Sequence, residues 1–164
     1  MTDDRQSMLN SLQYSRNHVL GILEGMTDEQ LRHPFLRSGW TCLGMVKHLA
    51  LDVEHYWFRC IVASESLQFF ETESGEAQDA WQVEPDESAA AIFDLYRREI
   101  EKANEIINAT SLDAPPRLRD ERWGDWAIPD LRFIMLHVIT ETSCHAGHLD
   151  AARELADGRQ WLVL

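Results

Sequence analysis

Basic residues are scarce in this chain: fifteen Lys and Arg stand against 28 Asp and Glu, a formal charge of −13. Such a field repels phosphate backbones and anionic lipid headgroups, and no basic cluster relieves it locally. No nucleic acid and no membrane surface is therefore expected as a partner. Cysteine is scarce as well. Cys42, Cys60 and Cys144 are odd in number and widely spaced. They form neither a disulfide framework nor a Cys-x-x-Cys metal motif, which fits a reducing, cytoplasmic compartment. No run approaches the roughly 20 apolar residues that span a bilayer. The opening MTDDRQSMLN has no basic segment followed by an apolar one, so no secretory signal is read there. Gly (8) and Pro (5) are few among 164 residues, which leaves room for long uninterrupted helices.

What is present is ordinary for a folded protein: 45% apolar residues, 26% charged, and six Trp and six Phe to build a core or pocket walls. Four segments carry a three-to-four-residue apolar period. The first spans about Asp4 to Glu24, with Met8, Leu12, Val19 and Ile22 on one side and Gly25 as its stop. Thr27-Asp-Glu-Gln30 reads as a capping box opening a short helical turn, limited by Pro34. A second long helix follows Thr41, a natural cap, and runs to about Ser64. A third covers about Ser88 to Ala109, with Ile92, Tyr96, Ile100, Ala103 and Ile107 within roughly 80° of arc. The fourth, with Pro129 in its first turn, extends to about Asp157 and stops at Gly158. Residues 65–87 form an acidic connector, expected to be pinned by Phe69, Phe70 and Trp81. No repeat or domain boundary interrupts residues 1–164, so the expectation is one all-α domain, a four-helix bundle.

The chemistry-bearing residues concentrate on two of these helices. On the fourth, His137, Glu141, His145 and His148 share a stripe some 80° wide that borders the apolar face. On the second, His48, Asp52, His55 and Arg59 fall in a similarly narrow arc. A carboxylate against an apolar face needs a partner or a cation. A Glu and a His four residues apart can reach one ion together, and a nitrogen from a facing helix adds a third ligand. Three protein ligands with an open position suit a catalytic metal. The same spacing also occurs on solvated helix faces, where it carries no chemistry. Two readings of Asp52 stand side by side: it orients the His48 imidazole or takes a proton, or it forms a local salt bridge with His55 or Arg59. Cys144 reads as a small core residue, since adjacent helix positions diverge by about 100°. Trp40, Trp57, Trp123 and Trp126 read as pocket lining or as core.

Two stretches resemble a known family. Ser38-Gly-Trp-Thr41-Cys-Leu-Gly-Met-Val-Lys-His48-Leu-Ala50 is similar to the second-helix signature of the DinB/YfiT-like superfamily, whose histidine is a metal ligand. Leu136-His-Val-Ile-Thr-Glu141-Thr-Ser-Cys-His145-Ala-Gly-His148-Leu-Asp150 resembles its last-helix signature, and Thr27-Asp-Glu-Gln-Leu31 resembles its early turn. Many members carry three His ligands. Glu141 stands where the second would be, and a His-Glu-His set resembles the mycothiol-dependent branch of maleylpyruvate isomerase N-terminal-like proteins. The resemblance implies an up-down-down-up bundle with a long crossover at residues 65–87. It also implies His48, Glu141 and His145 as metal ligands, zinc as the metal, and a homodimer. The sequence stops at Trp161-Leu-Val-Leu164, without that isomerase's additional C-terminal domain.

The expected function is a thiol-dependent metalloenzyme of transferase or isomerase type. A divalent metal, with zinc first and nickel, iron or manganese compatible, would activate a low-molecular-weight thiol such as mycothiol toward a small electrophile. Asp52 and His148 are the candidate catalytic residues, His148 as a proton shuttle one turn beyond a ligand, and His137 flanks the ligands. Two alternatives remain. One is metal-assisted hydrolysis, with water in the open position. The other is a non-catalytic dimeric metal-binding or stress-response protein, favoured if His137 or His148 completes a closed four-ligand site.

Overall fold

The computed structural model describes residues 4–66 and 79–161. Phe69 and Phe70, two of the three residues expected to pin the connector, lie outside them. All regular structure among the described residues is helical, with no strand. No helix among these residues is long and apolar enough to cross a membrane.

Helix α1 (Asp4–Ile22) buries Leu12, Val19 and Ile22, the apolar side the periodicity predicts. Gly25 ends the excursion in the left-handed region at φ 79°, where a Cβ is disfavoured. Helix α2 (Asp28–Arg32) opens on the expected capping box: the Thr27 hydroxyl accepts from the Gln30 amide, and the Thr27 amide donates to the Gln30 side chain. Helix α3 (Cys42–His48) is capped by Thr41, whose hydroxyl accepts from the Gly44 amide at 3.0 Å. Helix α4 (Ala89–Ala109) starts at Ser88, whose hydroxyl accepts from the Ala91 amide, and buries all five residues of the predicted stripe. Helix α5 (Leu131–Asp157) is capped by Asp130 and closed by Gly158. Pro129 therefore sits outside the first turn, because the Asp130 carboxylate, accepting from the Phe133 amide at 2.9 Å, takes the cap position itself.

The main departure from expectation lies in the second rod. After His48 the chain continues without a break as a π-helical segment, Leu49–Val62, in which each backbone bond closes over five residues instead of four. Side chains then advance by roughly 80° per residue instead of about 100°. Only Asp52, Tyr56 and Arg59 of this segment escape full burial. With neighbours on nearly every side, tertiary packing sets the coil over local preference. The wider turn splits the predicted stripe of His48, Asp52, His55 and Arg59. His48 and Asp52 stay together, whereas His55 and Arg59 swing to α4, where both bond the Glu99 carboxylate. The salt-bridge reading of Asp52 fails with that split.

Helix α1 packs on α5, and α4 packs on the π segment, which also meets α5. A fully buried ion pair ties three of these elements together: the Arg16 guanidinium donates to both Glu54 carboxylate oxygens at 2.7 and 2.6 Å and to Asn104 at 2.8 Å. The α1–α5 seam is fixed by Ser15–Ser143 at 2.8 Å and His18–Asp150 at 2.8 Å. Arg153 adds bonds to the Ile22 and Glu24 carbonyls, which secures the end of α1. The two rods that carry the histidine stripes are thereby held at a fixed separation.

Candidate metal centre

His48 is the last residue of α3 and projects toward α5 just before the coil widens. Its Nδ1 donates to Asp52 Oδ2 at 2.9 Å. In the neutral ring that bond fixes the tautomer and leaves Nε2 with a bare lone pair. Nε2 is buried and has no hydrogen-bond partner among the described residues. The group it faces is Glu141 Oε1, 3.7 Å away, too far for a hydrogen bond. Two electron-rich atoms confront each other across a gap, an arrangement that a cation between them relieves.

Glu141 is held in turn by His137, whose Nε2 lies 3.1 Å from Oε2. The His145 ring meets the His48 ring edge-on at 5.1 Å between centroids. One donor atom from each of His48, Glu141 and His145 lies within 4.8 Å of the other two. Zinc bonds of about 2.0–2.2 Å in a tetrahedron bring ligand atoms to roughly 3.3–3.5 Å of one another, so small side-chain adjustments close the group on an ion. The donor set, two imidazoles and a carboxylate, fits a borderline divalent cation.

Electrostatics prepare the same donors. Burial pushes the Glu141 carboxyl up, but His137 and His48 outweigh it and bring it down to about 2. Burial, reinforced by the positive field of His48, brings His145 down to about 4. Burial pulls His48 down too, yet its bond to Asp52 and the nearby Glu141 charge hold it above the usual imidazole value. At neutral pH Glu141 is an anion and His145 a neutral base, the states that bind metal.

The remaining predicted residues take separate places. Asp52 accepts from the Nδ1 of His48. His148 is exposed, with its Nδ1 at 3.3 Å from His145 Nδ1 and its ring 6.1 Å from Trp40. Neither His137 nor His148 joins the three-atom group. One side of the group opens on a cleft of about 480 Å³. Asp52, Glu141 and His145 form its polar edge, and Tyr56, Trp57 and His137 form a wall. Trp57 is buried, stacked on Trp123 at 5.7 Å, with Trp126 at its edge. The four tryptophans thus divide: Trp57 is both core and lining, and Trp126 is exposed.

Two features were missed in the sequence reading. Cys144 is exposed and lines the cleft, not the core. Its three-residue offset from Glu141, which places both on one helix face, is the signal that its adjacency to His145 obscured. Trp81 stacks on the His48 ring at 4.1 Å and 17°. Its access depends on Gly44, where an added Cβ would stand 2.3 Å from the Trp81 carbonyl oxygen. Gly44→Ala is expected to displace Trp81 and destabilise the protein by about 1–3 kcal/mol. A red-shifted tryptophan emission together with a lower urea midpoint is the readout, and an unchanged spectrum would contradict it.

A protein-family model described as "MST: Mycothiol-S-transferase" matches residues 7–158, nearly the whole chain. That family is DinB/YfiT-like, in agreement with the mycothiol-dependent branch that the helix signatures resemble. No curated protein and no solved structure gives a match.

Proposed function

We propose a function from one premise: the chain belongs to the mycothiol-S-transferase family. Its centre holds a divalent, zinc-type cation through His48, Glu141 and His145 and presents a low-molecular-weight thiol, mycothiol or a relative, to a small electrophile. The observation that carries this reading is the buried, unpartnered Nε2 of His48 facing the Glu141 carboxylate. A free thiol titrates near ~8.5, and the cation, when bound, supplies the charge that keeps it a thiolate at neutral pH.

The chain's own residues do the rest. Asp52 holds the His48 ring in its ligating tautomer. His137 holds Glu141 in place and leaves one carboxylate oxygen directed at His48. His148, exposed and in contact with His145, is positioned to accept the thiol proton and pass it to water. The cleft along Trp57 receives the electrophile beside the sulfur. Three gathered ligand atoms among the described residues favour an open position over a closed structural site. The reading also takes residues 1–164 as one up-down-down-up four-helix bundle that works as a cytoplasmic homodimer.

The test pairs thiol-conjugation assays with metal analysis. Asp52→Ala keeps all three ligands but frees the His48 ring, so metal affinity is expected to fall about 10–100-fold. Unchanged affinity in a competition titration with a chelating dye would remove Asp52 from the positioning role. Product formation that proceeds equally with no thiol added would replace transfer by hydrolysis.

A further inference from the structure

We propose that the cleft beside Glu141 selects neutral, ring-bearing electrophiles and rejects anionic ones; this names the substrate class of the thiol-transfer site and rests on that reading. Charge is the first argument. Asp52 and Glu141 both line the cleft, and no Lys or Arg among the described residues does. The nearby cations are already engaged. Arg122, over the Tyr56 ring at 5.6 Å, is bonded to Asp120, and Arg59 is bonded to Glu65 and Glu99. A substrate carboxylate would enter an acidic cleft without a counter-charge. The cation in the centre does not change this, because Glu141 and the thiolate offset its two charges.

The second argument is the wall. Trp57 presents its ring 4.7 Å from that of His137, and Trp126 lies 6.1 Å from His137. Trp126 and Phe133, 6.0 Å apart, are 43% and 36% exposed. Together they extend an apolar lip from the cleft outward. Tyr56, whose hydroxyl donates to Asp120 at 2.6 Å and accepts from Trp123 Nε1 at 3.0 Å, is locked with its ring toward the space. Flat faces of this kind bind ring systems by stacking and edge contacts, and about 480 Å³ accommodates one or two fused rings. For a benzylic chloride the chemistry is a substitution. The thiolate lone pair forms the C–S bond while the C–Cl bond breaks, chloride leaves with its electron pair, and the thiol proton has already passed to water.

The experiment measures binding apart from chemistry. Naphthalene-2-methanol and 2-naphthoate are titrated into the zinc-loaded protein with saturating mycothiol, so that the thiolate fills the open position and offsets the cation, followed by ligand-observed NMR. The neutral ring is expected to bind at least tenfold more tightly. Trp126→Ala should weaken it at least fivefold. Thr140→Arg, at an exposed position of the lining, should narrow the gap between the two ligands at least fivefold. Circular dichroism of both variants verifies that they fold. Naphthoate binding as tightly as the alcohol, or a Thr140→Arg protein with an unchanged ratio, overturns the proposal. A second arm compares mycothiol conjugation of benzyl chloride and 4-(chloromethyl)benzoate. Equal rates overturn the substrate class. Selective ring binding with no conjugation of either chloride overturns thiol transfer and supports the class of ligand.

Discussion

Glu141→Ala is expected to lower zinc affinity by at least about a hundredfold, more than the loss of a residue that only orients a ligand, and to abolish thiol conjugation. Glu141 is the one anionic donor of the group and the residue that places His48 and His137 around a shared negative charge. Its side chain is only partly buried and packs no core, so helical content should stay the same. Glu141→Gln separates charge from shape: it keeps an oxygen donor and loses the anion, and it should fall between the two proteins. The measurement is elemental analysis after purification without added metal, followed by a competition titration. Equal metal in wild type and Glu141→Ala would remove Glu141 from the donor set.

The second large effect concerns the scaffold that holds the two histidine-bearing rods. Glu54→Ala strips the buried Arg16 guanidinium of its bidentate partner, with Asn104 as its remaining bond outside the pair. An uncompensated charge at that depth destabilises by about 3–5 kcal/mol. The joint replacement Arg16→Met with Glu54→Leu removes both charges and fills similar volume, and is expected to be near neutral or stabilising. Urea unfolding of the three proteins decides between these outcomes. A Glu54→Ala protein with an unchanged midpoint would show that the ion pair carries no net stability. Because Glu54 sits on the π segment between His48 and the Trp57 wall, metal affinity should fall along with stability in the single variant.

Much of this was legible before any coordinates, and the reasons are local. Thr27, Thr41 and Gly158 act through neighbours three or four residues away, so their caps can be read from spacing. The stripe Ile92–Ile107 keeps a regular 3.6-residue period, and all five of its members are buried. On α5 the coil stays α-helical throughout, so the spacing of His137, Glu141 and His145 translates directly into a shared face. The failures share one cause, which is dependence on residues distant in sequence. The π coil of Leu49–Val62 answers to packing from α4 and α5, and it separates His55 and Arg59 from His48 in a way no α-helical wheel contains. The buried Arg16–Glu54 pair and the Trp81–His48 stack join residues 38 and 33 positions apart along the chain, beyond the reach of periodicity. His48 and Glu141 were brought into one centre by a resemblance between helix signatures, because spacing on one helix says nothing about its distance from another.

The account stands on a cation held by His48, Glu141 and His145 with one position free for a sulfur ligand. Cobalt(II) substitution tests both halves in a single cuvette. Cobalt added to metal-free protein should give the visible bands of a four-coordinate centre, and mycothiol added next should produce a sulfur-to-cobalt charge-transfer band in the near ultraviolet. Neither band should form with Glu141→Ala. Cobalt spectra identical in wild type and Glu141→Ala, or a wild-type spectrum that mycothiol leaves unchanged, would contradict it.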